Sequence, residues 1–355
     1  MENRFDTLPE VESTRDGKPV ARYTLKNCHG MEVVVTNFGC RIVALRFPDG
    51  NGTLRDVVQG FDSLEAYYPE NHQSDFGAVI GRYANRLAGG RIEVGGICYQ
   101  LPQNNGENCL HGGPVGWQYA VYDVVEYDRR HIVLTMTSPD GDNGFPGEVA
   151  VRVTYSLDER NALRIDYHAT ADRQTVINMT NHSYFNLNGD GNSSILNHRL
   201  QINADTYLPT NANQIPLGEK APVEGTPLDF RKPHRVGERI DADCEQLRIG
   251  CGYDHCWSLK NGGSLSAPVA TLCSEQSGIG FRLFTSAPGL QVYTGNYLDG
   301  VRGKGGIAYP RRSAICLETQ CYPDSPNHHW PESSGTIGPD NPFDSTTVFQ
   351  FFNGE

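Results

Sequence analysis

VAVRVTYSL, residues 149–157, places Val149, Val151, Val153, Tyr155 and Leu157 on one side of an extended chain and Ala150, Arg152, Thr154 and Ser156 on the other. A period of two marks a half-buried strand, apolar toward a core and polar toward water. The same rhythm recurs. Leu163, Ile165, Tyr167 and Ala169 oppose Arg164, Asp166 and His168, and Ile132-Leu134-Met136 and Ile279-Phe281-Leu283 repeat it. One solvated face per strand is the habit of antiparallel sheets. Clusters such as PDGDNGFPG (139–147), NGDGN (188–192) and KNGG (260–263) supply turns between the strands. Helical periodicity is scarce. DSLEAYYP (62–69) predicts one short helix capped by Asp62 or Ser63 and stopped before Pro69. The reading is an all-β fold with few short helices, its apolar faces covered by stacking sheet on sheet. No fixed-period repeat or low-complexity linker divides the chain, so a single domain over 1–355 is expected.

Acidic residues number 42 against 30 basic ones, a net charge of -12. No local Lys/Arg cluster offsets this, which argues against a nucleic-acid partner. No apolar run approaches the ~20 residues of a membrane helix. The start, MENRFDTLPEVESTRDGKPV, lacks the basic and apolar regions of a signal peptide. A cytoplasmic location is expected, with no membrane partner. The ten cysteines contain no C-x-x-C pair and no zinc spacing, and are expected to be buried free thiols in a reducing compartment.

Chemistry concentrates in VINMTNHSYFNL, 176–187. If extended, it points Val176, Asn178, Thr180, His182 and Tyr184 one way, and Ile177, Met179 and Phe185 into a core. Amides, hydroxyls, an imidazole and an aromatic ring together suit a polyhydroxylated ligand. Hydroxyls exchange hydrogen bonds with Asn and His, and sugar C–H faces pack on rings such as that of Tyr184. A satisfied structural histidine is the alternative. In GLQVYTGNYL (289–298), Gln291 and Tyr293 oppose Leu290 and Val292. In AICLETQC (314–321), Cys316, Glu318 and Gln320 oppose Ile315 and Leu317. A carboxylate amid an apolar strand is costly unless paired or used, which makes Glu318 the best candidate for a general base. GRYANR (81–86), LHGG (110–113) and GYDHC (252–256) add polar groups beside glycines that allow close backbone approach.

GRYANR, LHGG, TNHSYFNL, GYDH, PGLQVYTGNYLDG and LETQCYPDSPNH, in this order over roughly 77–328, resemble the galactose mutarotase (aldose 1-epimerase) family. The resemblance implies a large antiparallel β-sandwich of the galactose-mutarotase type. It implies an isomerase that interconverts the α and β anomers of free hexoses such as galactose and glucose without cofactor or metal. It makes His182 the general acid and Glu318 the general base, with Asn85, Arg86, His111, Asp254 and Gln291 holding the sugar. The partner is then a small aldohexose, and the chain a monomer or homodimer. Ordinary side chains, glutamate near ~4.3 and histidine near ~6.5, would serve without large pKa shifts. Two features depart from the family pattern and are expected at the rim of the site. Cys256 follows GYDH where Asn is common, and HHWPESSGTIGPDNP (328–342) follows the usual C-terminal pattern only loosely.

A hexose-6-phosphate 1-epimerase would need further cations, for which Lys304 in RGKGG is available. A sugar-binding sandwich without turnover would not need both His182 and Glu318. A glycoside hydrolase would pair Glu318 with a second carboxylate such as Asp254. Other motifs fail on spacing. DGDNGFPGE (140–148) has Gly144 and Val151 where a calcium loop needs oxygen ligands. RGKGG is no phosphate loop, and His328-His329 lacks a metal context. The sequons NMT and NHS fall inside the site strand, where glycosylation is not expected.

Overall fold

A computed structural model describes residues 9–72, 74–189, 191, 193–328 and 330–354. The first eight residues, Asp190 and Asn192 of the 188–192 turn, and His329 lie outside the described residues.

The alternating stretch is the strand Val149–Leu157, its side chains buried and open in turn. It sits in a nine-stranded antiparallel sheet. The order runs Asp123–Tyr127, His131–Ser138, Val149–Leu157, Ala162–Ala171, Phe343–Asn353, Ile279–Thr285, Ala270–Ser274, His198–Ile202, His234–Arg235. A four-stranded sheet contains Arg22–Lys26, Glu32–Thr36, Arg41–Pro48 and Leu54–Asp56. A five-stranded sheet follows the order Ala221–Pro222, Thr206–Leu208, Asp254–Ser258, Gly289–Tyr293, Cys316–Gln320. One apolar cluster takes side chains from all three: Val153, Ile165 and Phe349; Val33 and Leu45; Trp257, Leu290 and Leu317. Each fully buried aliphatic or aromatic side chain contributes roughly 1.5–3 kcal/mol. Within this cluster the Tyr155 hydroxyl donates to the Cys40 carbonyl at 2.7 Å, while the Tyr122 and Tyr167 hydroxyls have no hydrogen-bond partner.

Several local expectations change. The segment 62–69 forms only a 3-10 turn, Glu65–Tyr67. Ser63 Oγ does accept the Ala66 N–H, while Asp62 accepts the Gly305 N–H instead of capping. The α-helix Glu245–Gly250, the one among the described residues, was unannounced because six residues show too little periodicity. The segment 176–187 is not one strand. Thr175–Val176 pairs with Thr336–Ile337, Thr180–Asn181 pairs with Val79–Ile80, and Phe185 bridges Val58 and Ile315. With Asn178 also bridging Tyr83, a series of short pairings replaces the single neighbour a continuous strand would have. The strand from Gly289 stops at Tyr293.

None of the ten cysteines forms a disulfide, but only Cys40, Cys109, Cys256 and Cys316 are buried, and Cys28, Cys98 and Cys251 are exposed. Cys28 lies in a turn, Cys98 in a two-stranded hairpin and Cys251 just past the helix, where no sheet covers them. Among the described residues no helix is long and apolar enough to cross a membrane.

Candidate active site

The five-stranded sheet builds half of the site by simple alternation. Leu290, Val292 and Leu317 enter the core. The opposite faces of the same strands carry Asp254, Gln291, Tyr293 and Glu318 into a cavity of about 370 Å³. Register puts Gln291 beside Glu318 and Asp254 beside Tyr293. The cavity is also lined by Asn85, Arg86, His111, His182 and Tyr184, so all eight residues singled out from sequence share one chamber. Three larger depressions, of about 620, 680 and 640 Å³, contain none of them.

The loops bring the other half. Asn85 and His111 both adopt left-handed backbone, φ 67° and 52°, a conformation non-glycine residues hold mainly where the surroundings enforce it. Here they clasp each other. The Asn85 N–H donates to His111 Nδ1 at 3.1 Å, and the His111 N–H donates to the Asn85 carbonyl at 3.2 Å. The neighbouring Gly112 is required by close approach, since a Cβ there would lie 2.2 Å from the Gly81 carbonyl oxygen.

His182 stands at the centre. Its ring stacks on Tyr184 (centroids 5.0 Å, 19° between planes) and meets His111 edge-on at 5.3 Å. Its Nε2 lies 3.5 Å from Glu318 Oε1. Both residues are buried, and His182 Nδ1 and Glu318 Oε2 have no hydrogen-bond partner. Burial pushes the Glu318 carboxyl up to about 7. His182 opposes this, Asp254 and Asp75 add to it, and Arg86 offsets part. The expectation of an ordinary glutamate is therefore corrected: a carboxylate stripped of water holds its proton more tightly. Burial also lowers His111 to about 3, which keeps that imidazole neutral.

A polar chain spans the mouth. Arg86 donates from Nε to Asn105 (3.0 Å) and from Nη2 to Gln214 (2.7 Å). Gln214 donates to Asp254 Oδ2, and Gln291 to Asp254 Oδ1, both at 2.7 Å. Tyr297 stacks on Tyr293 at the rim. Sequence reading did not select Asp75, Asn105, Gln214, Tyr293 or Tyr297 for the site. Tyr293 carried a signal, sharing the face of Gln291. The loop residues carried none.

Other expectations fall outside the cavity. Asn178 bonds the Ala84 carbonyl and the Cys321 N–H, and Thr180 is sealed from solvent, so both belong to the scaffold. Cys256 shares the sheet face of Gln291 but packs with Leu208 and Tyr322 and does not line the cavity. Trp330 packs against the same group, and no described residue of 328–342 lines the cavity. Lys304 is tied to Asp56 (2.7 Å) and the Val58 carbonyl (2.8 Å), away from the site.

Asp75, His111 and His182 bring possible metal-ligating atoms within 4.8 Å of one another. The donor set does not fit a cation. His111 Nδ1 is spent accepting the Asn85 N–H, which leaves the proton of the neutral ring on Nε2 and removes that lone pair.

The family model for aldose 1-epimerase matches residues 21–350. The aldose 1-epimerase of Escherichia coli K12 is 37% identical over 337 residues, covering 95% of this chain and 96% of that protein. The galactose mutarotase of Homo sapiens is 41% identical over 323 residues, covering 90% and 91%. Among solved structures, a GalM/aldose epimerase homologue from C. elegans superposes with a TM-score of 0.87 at 29% identity, covering 95% of this chain and all of that one. Galactose 1-epimerase from Lactobacillus acidophilus gives 0.84 at 30%, covering 98% of each. With the β-sandwich and the matched motifs in place over nearly the whole length, the chain belongs to the aldose 1-epimerase family.

Proposed function

We propose that this chain is a cofactor-independent isomerase that interconverts the α and β anomers of free aldohexoses such as galactose and glucose, with Glu318 as base and His182 as acid. The observation that carries the roles is the 3.5 Å separation of His182 Nε2 and Glu318 Oε1. In a pyranose the C1 hydroxyl oxygen and the ring oxygen are bonded to the same carbon. A base for one and an acid for the other must stand side by side, as this pair does.

Glu318 removes the proton from the C1 hydroxyl while His182 donates its Nε2–H to the ring oxygen, and the C1–O5 bond breaks to give the open aldehyde. Rotation about C1–C2 presents the other carbonyl face. His182 then takes the proton back from the C5 hydroxyl as that oxygen attacks C1, and Glu318 returns its proton to the carbonyl oxygen. Each well-placed acid or base contributes about 10²–10⁴-fold. In the productive form Glu318 is ionised and His182 Nε2 carries the proton to be donated. Arg86, Asp254, Gln291, Asn85 and the Nε2–H of His111 hold the hydroxyls, and the Tyr184 and Tyr293 rings meet the C–H faces.

Among the described residues Arg86 is the one arginine or lysine lining the cavity, and Asn105 and Gln214 already engage it. That favours a free sugar over a hexose phosphate. We place the enzyme in a reducing compartment, which suits ten cysteines outside any disulfide. We also read the chain as a single domain, since one core takes residues from Ala21 to Phe351.

Polarimetry of freshly dissolved α-glucose and α-galactose tests the reaction. Accelerated equilibration is expected for both, with glucose 6-phosphate little affected. Binding without acceleration would leave a lectin.

A further inference from the structure

We infer that Asp75 is a positioning residue for the proton-transfer pair, its Oδ1 taking the Nδ1–H of His182 so that the ring presents Nε2 to the sugar. The inference rests on the roles proposed above for His182 and Glu318. Three observations carry it. Asp75 lines the same cavity. Asp75 Oδ1 and His182 Nδ1 are both buried and both lack a hydrogen-bond partner. A carboxylate oxygen of Asp75 and a ring nitrogen of His182 lie within 4.8 Å of each other.

The backbone holds the two together. The Gly77 N–H donates to the His182 carbonyl at 2.9 Å, and the His182 N–H donates to the Ala78 carbonyl at 2.8 Å. Asp75 is thus carried on a segment fixed against the residue it serves. Two orphaned buried polar atoms are costly unless they find each other at some stage of the cycle. Catalytic hydrogen bonds are commonly long before substrate arrives and tighten around it.

The charges agree. His182 is faced by Glu318, Asp75, His111, Tyr184 and Tyr293, with Arg86 and Asp254 beyond Glu318. His111 is neutral, and burial raises both phenols, so they carry no charge. Glu318 takes the Nε2 side of the ring, and Asp75 is inferred to take the Nδ1 side, where the imidazole atom has no other partner. After Nε2 gives its proton to the ring oxygen, the remaining proton stays on Nδ1, held by Asp75. Nε2 is left as the lone pair that retrieves the proton on reclosure. Without Asp75 the neutral ring can take the other tautomer, and the return step stalls.

Asp75→Asn keeps the shape and removes the charge. The expected result is at least about a tenfold loss of kcat at pH 8 with KM changed little, and an alkaline limb of the pH profile moved to lower pH by about one pH unit, which is that tenfold factor. A role confined to packing would leave the pH limb in place. Long-range ¹H–¹⁵N spectra provide a second readout on the unaltered protein, with His182 assigned by its loss in His182→Asn. The neutral ring is expected to carry its proton on Nδ1. A neutral ring protonated on Nε2, or an Asp75→Asn enzyme with wild-type kcat and limbs, overturns the inference. If the wild-type chain does not speed anomer equilibration, the proposed reaction fails, and the tautomer of His182 still decides the pairing with Asp75.

Discussion

Gln291 and Glu318 are direct partners on adjacent antiparallel strands, and Cys256 stands opposite Gln291 on its other side. Glu318, the proposed base, is therefore held by the sheet ladder, while its Oε2 receives no protein hydrogen bond. Glu318→Gln preserves that ladder and the side-chain volume but cannot accept a proton. It should lower kcat at least about 10²-fold and leave sugar affinity nearly unchanged. Polarimetric rates and calorimetric titration with galactose check this. Near-normal turnover would remove Glu318 from the chemistry.

The raised Glu318 carboxyl predicts the acidic limb of activity. A base that titrates at about 7 is ionised above that pH. kcat/KM should fall tenfold per pH unit below it, a limb that sits well above the range of an ordinary glutamate. The apparent midpoint belongs to the His182–Glu318 pair as a whole. A profile flat down to pH 5 would contradict the assignment.

The same shift has a cost in stability, with a definite sign. The folded chain holds the Glu318 proton up to about pH 7, against an ordinary 4.5 for glutamate. The folded state binds more protons within that window, so stability declines as pH rises through it and levels off above it. Glu318→Gln carries no such term. Its melting temperature should gain on the wild type between pH 5 and 7.5, by an amount worth a few kcal/mol at most. Differential scanning calorimetry at several pH values measures the gap, and a gap that closes with rising pH would reverse the sign.

Arg82 and Arg86 belong to one six-residue word yet should fail differently. The Arg82 guanidinium is sealed inside the protein, donating to the carbonyls of Pro146, Gly147, Ser138 and Pro139 and to the Ser138 hydroxyl. Arg82→Met strands those acceptors and should cost at least about 3 kcal/mol in urea unfolding. Arg86→Lys keeps the charge but loses the fork that spans Asn105 and Gln214. It should raise KM about tenfold or more with stability nearly intact. A raised KM without a loss of stability in Arg82→Met would move Arg82 into the binding site.

The difference between these arginines also shows what sequence could and could not convey. Period-two alternation located Val149–Leu157 to the residue, because one wet face and one dry face leave a direct imprint on side-chain order. Glu318 stood out as a charge among apolar neighbours. Gln291 and Asp254 were legible through the words around them. Asp75, Asn105 and Gln214 were not, since polar loop residues are the ordinary furniture of any turn and their convergence is set by chain paths far apart. The break of 176–187 into short pairings with several partners was equally hidden, because Ile177, Met179 and Phe185 enter the core whether or not the pairing is continuous.

Gln214 gives the sharpest test of a residue that only the folded structure reveals. Its amide oxygen accepts from Arg86 and its amide nitrogen donates to Asp254, each at 2.7 Å, so it relays between the cation and the anion at the cavity mouth. Its left-handed backbone, φ 59°, sits in a turn fixed by Asn211 Oδ1, which accepts the N–H groups of Asn213 and Ile215. Gln214→Ala keeps that turn and removes the relay. Arg86 and Asp254 then lose their shared orientation, and KM for galactose should rise about tenfold, worth ~1.4 kcal/mol, with kcat within a few-fold of wild type. Because Arg86→Lys breaks the same chain, the double variant should lose less than the sum of the two singles. Strict additivity in KM would mean that the two side chains act on the sugar independently, and that the relay has no part in binding.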